Sequence, residues 1–270
     1  MKVLRQAGNA IIWPTASTRP PQGAVRSQHP LEAALRGEAR PDVLRLSDGE
    51  IHFLYWFIQG SIMVPETRWR LRKAWGMCER HAWGAVAAEA SYRHGFLHGP
   101  ALLYEDIMAR ALPPFQAAGP LKGPRIAWGL RHRGPCMMCE MGYGPSSPAT
   151  ASADLLRGGR DLSYLLAFGK ETMPFWSKAV CGRCLGDGSG PRCRRHLLEE
   201  ALDGACGDLA AQRALVEYIA RHVSAFARSF VWGKHHLRTE EGRAALISAA
   251  GWCSGWQTFI ALMERMPEDG

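Results

Sequence analysis

Residues 181–202 read CGRCLGDGSGPRCRRHLLEEAL: a Cys-x2-Cys, a glycine-rich loop, and a Cys-x2-His that runs directly into a leucine-rich helical pattern. Two ligands three residues apart on one turn can reach the same ion at about 2.0–2.3 Å. The intervening glycines let the chain double back, so that the two pairs meet. The spacing therefore predicts a metal site built from Cys181, Cys184, Cys193 and His196, with the ion pinning the start of a helix.

The same grammar recurs elsewhere. WGMCERHAW (75–83) carries a second Cys-x2-His, Cys78/His81, at the head of a run in which Cys78, His81, Ala85, Ala88 and Tyr92 fall on one helical face. A further Cys-x2-Cys stands at Cys136/Cys139. Four pairs supply eight ligands, enough for two closed tetrahedral Cys3His sites. If the compact run closes on itself, Cys78/His81 must join Cys136/Cys139 across the 54 residues between His81 and Cys136. A rival grouping puts Cys136/Cys139 with Cys193/His196 and uses the same eight residues, and spacing leaves the two open. Four thiolate or imidazole ligands leave no coordination position for a substrate, which favours structural zinc, two ions, over a catalytic site. Iron-sulfur ligation by a Cys3His shell is the lesser alternative. Redox work by CGRC would need a preceding strand in a βαβ unit, and none is apparent. Cys206 and Cys253 have no partner at such spacing and read as small buried hydrophobes.

Outward from these motifs the chain is helical in pattern. Residues 1–46 lack periodicity and contain WPTASTRPPQG, which reads as an irregular, partly disordered arm. From 47 to 112 an apolar stripe through Phe53, Leu54, Phe57 and Ile58 predicts a helix. Pro65 suits the first turn of the next, Gly76 and Gly95 end helices, and Pro113 and Pro114 stop another. The Gly/Pro-rich stretch 113–135 reads as a linker. Residues 136–270 form a second helical half, in which Leu215, Ile219, Val223, Phe226 and Phe230 make one buried stripe with Asp208 as its cap. Each half sets an aromatic helix before a Cys-x2-His, a degenerate internal repeat. Strand-like alternation is nearly absent. The expected fold is mainly α, two degenerate helical repeats with Cys3His metal sites and little or no sheet.

The 270 residues hold 33 Lys+Arg against 25 Asp+Glu, a formal charge of +8 that favours anionic partners at long range. No secretory leader is apparent, which points to the cytoplasm, where reduced thiols bind metal rather than pair. Residues 244–263 carry no charge over 20 positions, about the length of a membrane span. Glycines, serines, Gln257 and Thr258 make a packed terminal helix the better expectation, and a membrane is not an expected partner.

No nucleophile–base or carboxylate pair converges by spacing. A zinc-stabilised binding or regulatory module for a macromolecular partner is therefore the leading expectation. Nucleic acid is one candidate, because Arg183, Arg192, Arg194 and Arg195 surround the compact metal motif. The alternative is a metal-containing enzyme with a helical pocket of Glu50, His52, Arg68, Trp69, Tyr104, Glu105 and Asp106. DGEIHF (48–53) and YEDIM (104–108) set polar groups inside apolar helices, which costs free energy unless they are paired or functional. Capping and salt bridges to Arg68 or Arg72 explain them equally well.

LYWFIQGSIMVPETRWRLRKAWGMCERHAW (54–83), continuing into GPALLYEDIM (99–108), resembles a bacterial family of helical, cysteine-rich proteins that has no established activity. Members carry a Cys-Pro-x-Cys, an aromatic helix, an sVMEPDVR-like turn and a GFCxxH. The matching positions are Trp56, Ser61, Met63, Pro65, Glu66, Arg68, Gly76, Cys78 and His81, and FARSFVWGKHH (226–236) is similar to the family's closing helix. The resemblance implies a metal-stiffened α-architecture. Where the family has its first Cys-x2-Cys this chain has PDVL (41–44), so Cys78 and His81 must recruit a later pair or lose their site.

Overall fold

A capping box starts the first described helix, α1 (Asp48–Ile58): the Ser47 hydroxyl accepts from the Glu50 amide at 3.3 Å, and the Glu50 carboxylate accepts from the Ser47 amide at 2.7 Å. Phe53, Leu54, Phe57 and Ile58 are buried, as their spacing predicts. Pro65 opens α2 (Pro65–Lys73), and a left-handed Gly76 (φ 96°) turns the chain toward α3 (Glu79–Tyr92). Gly95, also left-handed, closes the end of α3 through its amide bond to the Ala90 carbonyl, and α4 (His98–Ala111) stops before Pro113.

The computed structural model describes residues 44–116, 122–186, 188–205 and 207–264. The chain divides into two units, Met1–Pro41 and Asp42–Gly270, and the described residues all belong to the second. The expected N-terminal arm therefore lies mostly outside them, as does Cys206. Leu44 and Leu46, placed in that arm by sequence, are core residues. Within the stretch expected to be a linker, α5 (Lys122–Leu130) forms and buries Ile126, Ala127 and Leu130. Its Gly and Pro content hides an apolar face that the helix turns inward.

The remaining helices are α6 (Met137–Glu140), α7 (Ala153–Arg160), α8 (Ser163–Trp176), α9 (Gly182–Leu185), α10 (Arg194–Leu202), α11 (Leu209–Arg228), α12 (Glu240–Ser254) and α13 (Gln257–Met263). The described residues contain no strand, so the protein is mainly α. α3 and α12 are buried nearly all round, from His81 to Ser91 and from Ala244 to Cys253. α1, α7 and α8 pack on α3, while α4, α8 and α11 surround α12. α10 packs on α5, so the expected linker contributes to the surroundings of the second cysteine motif.

The uncharged run 244–263 is not one helix. Gly255 (φ 125°) breaks it, and α13 folds back so that Trp256 and Phe259 join Trp83 and Trp176 in an aromatic cluster. The Trp83 indole donates to the Gly255 carbonyl at 3.0 Å. Gly251 is required there, because a Cβ would stand 2.3 Å from the Trp256 ring. Among the described residues no helix is long and apolar enough to cross a membrane.

Candidate metal centres

Cys78 is the residue before α3, and its extended backbone (φ −62°, ψ 165°) turns its side chain back toward His81 on the first helical turn. Cys136 stands in the same way before the four-residue α6, which carries Cys139. The fold brings these pairs together. His81 Nδ1 lies 3.3 Å from Cys78 Sγ and 3.4 Å from each of Cys136 Sγ and Cys139 Sγ, and Cys78 Sγ lies 3.7 Å from Cys139 Sγ. Cys78 and His81 thus recruit the later pair, and the grouping that would join Cys136/Cys139 to Cys193/His196 is not the one the fold makes.

The compact motif closes on itself. Cys181 precedes the short α9, which carries Cys184, and a left-handed Gly186 then starts the return loop to Cys193 at the head of α10. His196 Nδ1 lies 3.1, 3.5 and 3.4 Å from the sulfurs of Cys181, Cys184 and Cys193, and Cys184 Sγ lies 3.9 Å from Cys193 Sγ. Arg192 braces the loop, donating to the Gly190 carbonyl at 2.9 Å and to Glu200 at 2.5 Å.

The two centres share one local plan: a Cys-x2-Cys on a single turn faces a Cys-x2-His whose Cys precedes a helix. Their order along the chain is reversed. A tetrahedral ion with bonds of about 2.3 Å to sulfur and about 2.05 Å to nitrogen requires S–S edges of about 3.8 Å and S–N edges of about 3.6 Å. The observed edges fall within about half an ångström of these. They are far from the roughly 2.05 Å of a disulfide, and all six cysteines are free thiols. Each centre offers four ligand atoms within 4.8 Å of one another, and each can hold one metal ion.

The electrostatics of both centres favour positive charge. Hydrogen bonding among the thiols raises Cys78 and lowers Cys136 in the first, and raises Cys184 and lowers Cys181 in the second. Burial disfavours the His81 imidazolium, yet hydrogen bonds to Cys136, Cys139 and Glu50 outweigh it and raise the group to about 11. Hydrogen bonds to Cys181 and Cys193 raise His196 to about 9. A pocket that draws protons onto its imidazole and strips one from a thiol answers the same demand when a divalent cation binds.

The first centre has a second layer that the spacing of cysteines does not announce. Glu50 is fully buried, and its Oε1 meets His81 Nε2 at 3.0 Å. Burial by itself would raise the Glu50 carboxyl, but hydrogen bonds from Arg80, His81 and the Ser47 amide hold it down to about 2. Arg80 reaches it with Nε at 2.7 Å and Nη2 at 2.8 Å. An ionised carboxylate fixes the imidazole tautomer with its proton on Nε2, which leaves the Nδ1 lone pair for a metal. The sequence signal was a carboxylate inside the apolar pattern of DGEIHF, which marks Glu50 as paired or functional but does not name His81 as its partner.

The other residues considered for an enzymatic pocket do not converge. Glu50 belongs to the metal centre, His52 is exposed, and Tyr104 is buried beside a cavity of about 10 Å³, room for one water molecule. Arg68 and Arg72 both pair with Asp106, at 3.2 and 2.6 Å. Trp69 is half exposed, and Glu105 accepts from Ser224 at the edge of a surface depression between α4 and α11. The four arginines around the compact motif are also spoken for. Arg183 and Arg195 pair with Glu199, Arg192 pairs with Glu200, and Arg194 is buried, donating to the Cys253 and Leu130 carbonyls at 3.1 and 2.9 Å.

Comparison with protein families, curated proteins and solved structures gives no match for this chain.

Proposed function

We propose that the protein is a zinc-stabilised helical module of the cytoplasm that presents a rigid surface to a macromolecular partner. The observation that carries this reading is the pair of closed Cys3His constellations, whose four ligands each leave no position for a substrate. Zinc is favoured over iron-sulfur because sulfurs 3.7 and 3.9 Å apart leave room for a single ion. A polynuclear cluster with bridging sulfides needs more room between its terminal cysteines. The resemblance to helical, cysteine-rich bacterial proteins agrees with a metal-stiffened scaffold.

Zinc would supply folding free energy here, and this chain's residues would position it: Glu50 by orienting His81, and Arg192 by holding the glycine loop closed. Elemental analysis with native mass spectrometry and an absorption spectrum tests the reading. Two zinc ions per chain and no visible band are expected, with chelation unfolding the protein. Absence of metal, or iron with charge-transfer absorption, would overturn it.

A further inference from the structure

Beside the compact centre, Arg183, Arg192 and Arg195 are engaged by Glu199 and Glu200, whereas a group of cations without such partners lies where α2 meets the segment after α5. The Arg133 amide donates to the Lys73 carbonyl at 2.9 Å, and the Trp75 indole donates to the Arg131 carbonyl at 2.9 Å, so the two segments lie side by side. Arg110 joins them through a hydrogen bond to the Arg72 carbonyl. Neighbouring Arg70 and Arg72 have carboxylate partners in Glu140 and Asp106. Lys73, Arg110, Arg131 and Arg133 have none among the described residues. Burial, and after it the nearby charges of Arg133 and Arg72, lower the pKa of Arg110 against the opposing charge of Asp106.

Two tryptophans accompany these cations. The Lys73 ammonium stands 3.3 Å above the Trp69 ring and the Arg131 guanidinium 3.3 Å above Trp128. The rings stay 52% and 60% exposed. A surface that only neutralised phosphates would gain nothing from leaving two indoles open to water. A surface that binds unpaired bases uses both, because cations track the backbone while aromatic faces stack bases. A duplex keeps its base faces stacked inside and cannot use them.

We propose that the face formed by Lys73, Arg110, Arg131 and Arg133 with Trp69 and Trp128 docks single-stranded nucleic acid. The proposal rests on the binding-module reading above and names its partner class. The test is fluorescence anisotropy of the full, metal-loaded chain with labelled dT20, U20 and a 20-base-pair duplex, across 50–200 mM salt. Four phosphate contacts on a single strand predict a log–log salt slope of about −3, or about fifty-fold weaker binding over that range. Changing Lys73, Arg131 and Arg133 together to Gln should reduce the slope by about 2. Trp69→Ala with Trp128→Ala should weaken binding ten-fold or more, on the order expected for lost stacking, with the slope retained. Arg195→Gln, at a guanidinium paired with Glu199, should change neither. The dT20 and U20 arms separate DNA from RNA as the natural ligand. Failure of both single strands to bind, tighter binding to the duplex or to phosphatidylserine vesicles, or unchanged binding by the triple variant would each overturn the proposal. If the chain still carries two ions and melts normally, such a result removes the docking surface alone. Loss of the ions removes the scaffold reading.

Discussion

Glu50→Gln separates the metal-orienting role of this side chain from its helix-capping role. The wild-type carboxylate accepts from four donors, the Ser47 amide, two nitrogens of Arg80 and His81 Nε2, at 2.7–3.0 Å. Glutamine keeps one acceptor oxygen but turns the other into a donor, so an N–H must face Arg80 or the Nε2–H of a metal-bound His81. Breaking a buried ion pair costs about 3–5 kcal/mol. Arg80 is 19% exposed and can turn partly to water, so the lower end of that range applies. Losing the partner of a ligating histidine typically costs 10–100-fold in metal affinity, about 1.4–2.8 kcal/mol. Titration against a chromophoric chelator, with ions counted by native mass spectrometry, reads the two centres in one molecule. One ion should leave at 10–100-fold lower chelator than in the wild type, and the other should be unmoved, because Glu50 touches nothing in the Cys181–His196 centre. Equal weakening of both centres, or of neither, would refute the assignment.

Cys193→Ser should leave one ion per chain and melt the 181–202 region, since structural zinc contributes about 10–16 kcal/mol of apparent folding free energy. Cys253→Ser removes a buried thiol that packs on Met108 and is not a ligand; both ions should remain, with a loss of about 1–2 kcal/mol in a thermal melt. Glu89 is buried and accepts from the Gly99 amide at 2.8 Å, and burial raises its carboxyl from 4.5 to about 7. The fold therefore holds a proton that the unfolded chain releases, so the stability contributed by the protonated carboxyl is lost as pH rises from 4.5 through 7. Glu89→Gln should flatten that decline and melt higher than the wild type above pH 7, with the two converging near pH 4.5. Gly251→Ala drives a methyl into the Trp256 ring and should cost about 1–3 kcal/mol or more in urea unfolding, with both ions retained.

The eight candidate ligands were legible because coordination imposes a short, fixed spacing on residue types that are rare elsewhere. The same was true of helices whose ends carry Pro65, Gly76, Gly95 or Asp208, since caps are local chemistry. Spacing suggested the compact grouping but could not decide it against its rival. Nothing local says that Cys139 will meet Cys78 rather than Cys193, because that depends on how α1, α3 and the 142–148 loop pack. The Gly49 amide bonds the Ser147 carbonyl and the Ser47 hydroxyl bonds the Gly144 carbonyl, contacts that fasten the start of α1 to the turn after Cys139. α5 was missed because glycine and proline outweigh its three buried apolar residues in a composition-based reading. Charge counted along the chain likewise cannot show that Arg183, Arg192 and Arg195 pair with Glu199 and Glu200 beside the second centre.

The reversed order of the two pairs gives the centres different roles in holding the fold. Cys181 and His196 are 15 residues apart and close a short loop, whereas Cys78 and Cys139 are 61 apart and span α3, α4 and α5. Loop closure scales as about 3/2 RT ln n, so the longer loop costs roughly 1.2 kcal/mol more to close. The compact centre depends mainly on its own turn and can bind metal with little help from the rest of the chain. A metal ion at the first centre would tie Cys78 to Cys139 and so hold the start of α3 against α6. The first centre should bind most tightly once α1 is docked, because the carboxylate that orients His81 comes from Glu50. This is why a change at Glu50, which is no ligand, is expected to loosen one ion selectively.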